Sequence, residues 1–423
     1  MAPGEDRRPI EPAGKPAKAA SLYLHVPFCA SLCDYCDFYS ILASGGCAGE
    51  AAMDLFAGAA LADAEDQLAF FEISRVPSVY VGGGTPSALG AARIERLLSG
   101  IQSLLARHGG KPAEITVEAN PESADEAFLR ACADGGASRI SLGVQTFSEE
   151  SRRLIGRSGD PALLPRRLAL AARHFPGAFS ADLIAGLPRQ TAAALSRDIE
   201  RLLEFQPAHV SLYSLTIEPE TPLGGRAARG GGLAALGLPG EDEADELWIA
   251  GRDMLEKAGL AQYEVSNFAR PGKTCAHNMR YWRMENWLGA GPSASGTMIS
   301  ESANGNMATG RRFAYPPDAA AYLAAPRPRL RLASVEELSG ADLMRESLLM
   351  GFRCREGPDA QAFKRRFGRG VADCIPGTVA RWRGKGFFEG NPAPAPGGLA
   401  PSKEGLLFVN SFLRDAFAEM EGR

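Results

Sequence analysis

Three cysteines fall within eight residues: Cys29, Cys33 and Cys36, spaced Cys-x3-Cys-x2-Cys in CASLCDYC. Eight cysteines in 423 residues are too sparse for a disulfide-stapled secreted domain. Their local clustering reads instead as metal or redox chemistry in a reduced compartment. The other five, Cys47, Cys132, Cys275, Cys354 and Cys374, are scattered. A structural zinc site normally takes four protein ligands, often as two separated pairs. Three thiolates suit a [4Fe–4S] cluster whose fourth iron stays open to a small molecule and can pass it one electron. Zinc with a distant fourth ligand is the alternative.

Such a loop must be held by rigid elements. The segment 21–26, SLYLHV, alternates apolar and polar residues and is stopped by Pro27, so a strand delivers the chain into the cysteine loop. Further strands are predicted at 78–81, 114–118, 139–142, 179–184 and 209–215. Helices are predicted at 51–71, 91–105, 123–133, 149–155, 162–173, 191–203 and 242–257. Six strand-then-helix units argue for a parallel sheet with helices outside, either most of a barrel or an open doubly wound sheet. In both, ligands sit beyond the C-terminal strand ends. Those ends carry Gly82-Gly83-Gly84-Thr85-Pro86-Ser87, Glu118-Ala119-Asn120-Pro121, Gly143-Val144-Gln145, and Asp182 followed by Gly186-Leu187-Pro188. Turn formation alone does not call for Glu, Gln and Asp at successive strand ends.

Composition narrows the partners. Lys and Arg number 46 against 50 Asp and Glu, a formal charge of −4, so no basic excess is left to neutralise nucleic-acid phosphates. The first 20 residues hold four prolines and mixed charge without an apolar stretch, and read as a disordered lead-in rather than a signal peptide. No apolar run approaches the roughly 20 residues that cross a bilayer, and the expectation is a cytoplasmic protein. After about residue 260 the βα rhythm breaks. Helices at 341–350, 360–367, 371–384 and 404–418, with hairpin-like stretches at 386–390 and 398–400, suggest a mainly helical C-terminal domain of winged-helix type. The expected division is lead-in 1–20, barrel 21–260, linking segment 261–310 and C-terminal domain 311–423.

The cysteine loop after a first strand resembles the radical SAM superfamily. YLHVPFC, GGGTPS, EANP, SLGVQTF, DLIAGLP and SLYSLTIEPETPL stand in the order seen in the branch of oxygen-independent coproporphyrinogen III dehydrogenases and the HemW group of heme chaperones. The likeness is dense over 21–300 and looser beyond. It implies a partial (β/α)6 barrel, a [4Fe–4S] cluster on Cys29, Cys33 and Cys36, and S-adenosylmethionine chelating the open iron. By the same resemblance Gly83, Gly84 and Thr85 lie against the methionine amino group. Glu118 and Asp182 accept hydrogen bonds from ammonium or ribose hydroxyls, Gln145 and Arg157 complete the pocket, and Tyr23 faces it.

Two details divide the branch. The dehydrogenases carry a further Cys two residues after the third; here that position is Phe38. They also carry a longer ordered N-terminal part. The segment Cys275-Ala276-His277-Asn278-Met279-Arg280-Tyr281-Trp282 resembles the HNxxYW heme motif of the HemW group. It implies heme as a further cofactor with His277 as axial ligand, Cys275 as an alternative thiolate, and heme-accepting proteins as partners. On residue types alone, His277 and Trp282 could equally pack a domain junction. The segment is expected to cross near the open strand ends. A non-catalytic iron–sulfur scaffold is a further alternative, and a homodimer or peripheral membrane contact is left open. One position departs from the family pattern: Gly-Arg-x-His is here Gly156-Arg157-Ser158-Gly159.

Overall fold

The computed structural model describes residues 18–44, 49–229, 236–301, 307–389 and 398–422. The Pro-rich lead-in up to residue 17 and Cys47 lie outside the described residues. Six strands form the centre: β1 (Ser21–Val26), β2 (Ser78–Gly83), β3 (Glu114–Ala119), β4 (Arg139–Gln145), β5 (Phe179–Ala185) and β6 (His209–Ser214). They pair in parallel and in sequential order. A doubly wound sheet reverses its order at a switch point. Here the order never reverses, so right-handed crossovers put every connecting helix on one face, and the sheet curls as a partial barrel.

The connecting helices include α1 (Glu50–Phe70), α2 (Gly90–Arg107), α3 (Glu126–Asp134), α4 (Glu149–Leu154), α5 (Leu164–His174), α6 (Ala192–Leu203), α7 (Pro222–Arg229) and α8 (Glu241–Lys257). Several start where sequence rules require. Asp125, Ser148 and Thr191 each accept a hydrogen bond from the backbone N–H three residues on, satisfying one otherwise orphaned donor. Their apolar stripes, such as Ile94, Leu97, Leu98, Ile101 and Leu105 of α2, are buried against the strands. Val79, Val81, Ile115, Val117, Ile140 and Leu142 are buried under the helices and alternate with Tyr80, Thr116, Glu118, Ser141 and Gly143 on the inner face of the barrel.

After α8 the chain adds β7 (Ala261–Gln262) and β8 (Asn267–Ala269), the latter antiparallel to β6. A short helix, α9 (Ala276–Trp282), then carries the chain to the far edge of the sheet. There β9 (Trp287–Ala290) lies parallel to β1, with Ser21 opposite Trp287 and Leu24 opposite Ala290. The antiparallel strands β10 (Ser295–Ser300), β11 (Thr309–Ala314) and β12 (Ser334–Leu338) extend that edge. The complete order is β12-β11-β10-β9-β1-β2-β3-β4-β5-β6-β8-β7. The division expected at 310/311 falls inside β11, so the sheet runs on through it.

A second apolar core gathers Phe352, Phe363, Phe367, Trp382, Phe387 and Phe412 between C-terminal helices. The single helix expected over 371–384 is two, Val371–Cys374 and Pro376–Gly384. Pro376 has no N–H to give and starts the second helix instead of continuing the first. Of the expected wing, Phe388 and Pro401 form an antiparallel bridge, and residues 390–397 lie outside the described residues. Among the described residues no helix is long and apolar enough to cross a membrane.

Candidate functional site

A cleft of about 510 Å³ opens at the C-terminal ends of the six central strands. Cys29, Cys33 and Cys36 line it, and so do Gly83, Gly84, Thr85, Glu118, Gln145, Arg157 and Asp182. Ten of the twelve residues singled out by sequence therefore share one cavity. Tyr23 and His277 are not among its lining residues.

The turn after β2 fits against the cysteine loop. Gly84 N–H donates to Val26 O at 2.8 Å and Thr85 N–H to Phe28 O at 2.7 Å. A Cβ on Gly84 would stand 2.9 Å from Phe28 O and 3.1 Å from Cys29 Sγ, too close for any side chain. Gly83 has φ +108, and a Cβ there would strike the His25 ring at 2.8 Å. These two glycines let the strand backbone reach the first cysteine. Thr85 Oγ1 lies 3.3 Å from Cys29 Sγ and accepts from Asn120 Nδ2 at 3.0 Å. Burial pushes the Cys36 thiol up to about 11. It therefore keeps its proton at neutral pH until a metal displaces it.

Positive charge enters through Arg157, which is buried. Its Nη1 donates to Cys33 Sγ at 3.6 Å, and its Nη2 donates to Asn120 Oδ1 at 2.9 Å and to Gly143 O. Asn120 thus ties Thr85 to Arg157. Sequence reading placed it at a strand end and gave it no role; the polar residue in EANP was the available signal. The loop carrying Arg157 is built around Gly159, at φ +89, where a Cβ would lie 2.1 Å from Glu122 Cγ. Glu122 pairs with Arg152 at 2.8 Å. The space beside position 159, histidine in the family pattern, is taken by this ion pair.

Two carboxylates face the cleft. Burial pushes Glu118 up to about 7, offset in part by the Tyr80 hydroxyl, which donates to Oε1 at 2.6 Å. Burial also raises Asp182, which accepts from Ser141 at 3.4 Å. Gln145 sits at φ +66, a left-handed conformation uncommon outside glycine. It occupies a register shift between β4 and β5, and its buried Oε1 has no hydrogen-bond partner. Bulges and strained residues of this kind re-aim side chains at functional clefts.

Tyr23 points into the barrel, its hydroxyl 3.1 Å from His25 Nδ1. His277 lies at the opposite end from the cleft, correcting the expectation that its segment runs near the open strand ends. The reason is topological. β8 ends beside His209, the first residue of β6, and β9 begins beside Ser21, the first residue of β1, so α9 must cross the N-terminal ends of the strands. His277 is fully buried there, with Nδ1 3.0 Å from Ser78 Oγ and Nε2 2.8 Å from Tyr281 Oη. In this arrangement neither nitrogen is free to ligate iron. Cys275, also fully buried, donates to Glu114 at 3.3 Å.

Residues 23–202 match the radical SAM superfamily, and residues 338–408 match the HemN C-terminal domain. The chain is 34% identical over 350 residues to the heme chaperone HemW of Lactococcus lactis, covering 83% of this chain and 86% of that protein. It is 35% identical over 360 residues to radical S-adenosyl methionine domain-containing protein 1, mitochondrial, of Bos taurus, covering 83% and 78%. The fold matches coproporphyrinogen III oxidase (HemN) from Escherichia coli with a TM-score of 0.75 at 22% identity, over 95% of this chain and 91% of that one. With these identities over most of both chains, the protein belongs to the radical SAM superfamily, in the family that contains HemW and the mitochondrial radical S-adenosyl methionine domain-containing proteins.

Proposed function

We propose that this protein is a cytoplasmic heme chaperone that binds heme and delivers it to acceptor proteins. In this reading it also holds a [4Fe–4S] cluster on Cys29, Cys33 and Cys36 and S-adenosylmethionine beside it. The observation that carries the reading is its 34% identity, over most of both chains, to a protein named heme chaperone.

The residues present fit the two cofactors. Three thiols ring one cleft, while among the described residues no three His, Cys, Asp or Glu side chains converge to hold a single ion. That favours a cluster over zinc. Gly83 and Gly84 bring the strand backbone into the cleft wall beside Cys29, and Glu118 offers a carboxylate that would receive a ligand ammonium. Arg157 gives positive charge beside Cys33, suited to the ligand carboxylate. The unpartnered Oε1 of Gln145 and Nε of Arg157 are polar atoms awaiting a partner. The cluster, when bound, supplies one electron and an open iron position.

Phe38 supports the chaperone over the dehydrogenase. It lines the cleft and is 67% exposed at the position where the dehydrogenase pattern has a fourth cysteine. The test uses one anaerobically reconstituted preparation. Hemin titration in the Soret region and transfer of heme to an apo-hemoprotein should both succeed, and porphyrinogen oxidation should be absent. Robust porphyrinogen oxidation without hemin binding would overturn the proposal.

A further inference from the structure

The end of the barrel opposite the cleft holds a second cavity, of about 160 Å³, between the starts of β3 to β6 and the 272–274 loop. Arg139, the first residue of β4, lines it and is 8% exposed. Its guanidinium makes no hydrogen bond and no ion pair with any described residue; it meets its neighbours through longer-range electrostatics alone. Buried arginines are almost always paired, since an uncompensated guanidinium taken out of water is strongly destabilising.

On the cavity wall only Glu114 answers that charge; Glu118 and Asp182 act on it from the barrel interior, but burial raises both of those carboxyls. Glu114 is the one acid lining the cavity, but its oxygens accept from Cys275 Sγ at 3.3 Å, Ala276 N–H at 3.0 Å and His277 N–H at 3.1 Å. Its carboxylate therefore secures the start of α9. His209 is neutral: burial and then Arg139 hold it well below its ordinary value. Its nitrogens are taken by Ser180 at 2.8 Å and Tyr263 at 2.9 Å. Lys273, exposed on the loop, adds a second cation. Of the lining side chains two are positive and one negative.

We propose that this cavity is an oxyanion site in which Arg139 and Lys273 bind a carboxylate or phosphate. A guanidinium fork facing a polar cavity matches the paired oxygens of either group. The anion has two sources of the same chemistry: free inorganic phosphate, or the carboxylate arm of a larger ligand resting on the 272–274 loop. A heme propionate would be such an arm, and that second source alone rests on the chaperone reading.

Thermal unfolding of the full chain in phosphate and in chloride, at matched ionic strength, tests the site. Phosphate stabilises proteins generally, so the reading is the difference between wild type and variants. Wild type should gain roughly 3–5 °C at a hundredfold excess over Kd. Arg139→Gln and Lys273→Ala should lose most of that gain, and in chloride Arg139→Gln should melt no lower than wild type. An equal phosphate gain in all three proteins overturns the site; Lys273→Ala, being exposed, carries the test if Arg139→Gln does not fold. Titration with hemin and with hemin dimethyl ester separates the sources. A wild-type preference for hemin that disappears in Lys273→Ala assigns the propionate, and a phosphate response without that preference assigns the free anion.

Discussion

The Tyr80 hydroxyl donates to Glu118 Oε1 at 2.6 Å, from the middle of β2 to the end of β3 inside the barrel. The Tyr80 ring also lies 5.2 Å, centroid to centroid, from the ring of His277. One aromatic side chain therefore touches both the cleft carboxylate and the helix that plugs the opposite end. Because the hydrogen bond favours the charged carboxylate, Tyr80→Phe should raise Glu118 beyond its present value of about 7. An ammonium ligand needs the ionised form, so affinity for S-adenosylmethionine should climb with pH through about 7 in wild type and at higher pH in the variant. At neutral pH, where wild-type Glu118 is already half protonated, the loss should be roughly sevenfold, from ~1.5 kcal/mol for a charged hydrogen bond. Calorimetric titration across the range measures it, and superimposable pH profiles would remove Glu118 as the ammonium acceptor.

Buried acids give stability a pH slope. Burial raises Glu118 and Glu264 from the ordinary 4.5 to about 7. A carboxyl with a raised folded value keeps its proton in the native state while the unfolded chain has released it. Stability of the cofactor-free protein should thus fall as pH rises from 4.5 to 7, by on the order of 3 kcal/mol for each group. Thermal unfolding at stepped pH should show the decline, and Glu264→Gln should make it shallower by that residue's share, leaving the share of Glu118. A constant Tm over that range would contradict the assignment.

The cysteines divide sharply by place. Cys29, Cys33 and Cys36 share the cleft, while Cys132 is on the buried face of α3 and Cys374 packs against the C-terminal core. Alanine at any of the first three should abolish the cluster after anaerobic reconstitution. Alanine at Cys132 or Cys374 should leave iron and sulfide content unchanged. Iron analysis of the five variants decides, and iron loss in Cys132→Ala would break the three-ligand assignment.

Much of this was legible because βα repetition and strand-end chemistry are local signals. The six central strands and the cysteine loop could be found from periodicity and spacing, and the polar strand ends marked the face of the cleft; the roles of its residues, and Arg157 altogether, came with the resemblance to the radical SAM superfamily. The partial barrel itself needed more than period. Strand order is a property of long-range pairing, and β9 gives no sign in its own four residues that it will lie beside β1. The same gap hid α9. Cys275 to Trp282 reads as an aromatic cluster with a ligand-like histidine, yet its place is set by the route from β8 to β9. Arg139 was invisible for a related reason. A lone arginine opening a strand looks like a surface charge, and only the closed end of the barrel makes it a buried one.

His277→Ala separates a fold role from a heme role. Burial, then the nearby Arg280 and Arg139, pull His277 down to about 3, so the ring is neutral across the physiological range. One nitrogen then donates and the other accepts, matching the hydroxyls of Ser78 and Tyr281. The ring also packs edge-on to Tyr281 at 4.9 Å. Alanine would strand the Tyr281 hydroxyl, leave Ser78 only its bond to Ser21 at 2.8 Å, and open a cavity, at a cost of about 3–5 kcal/mol. The expected result is a lower Tm with iron–sulfur content and hemin titration of the folded protein unchanged. His277→Gln, which can still hydrogen-bond one hydroxyl, should recover part of the stability. The opposite outcome is equally clear: if alanine removed the Soret response while the Tm held, α9 would have to open in solution and His277 would be an iron ligand after all. Soret titration and thermal unfolding of wild type and both variants, on matched preparations, distinguish the two.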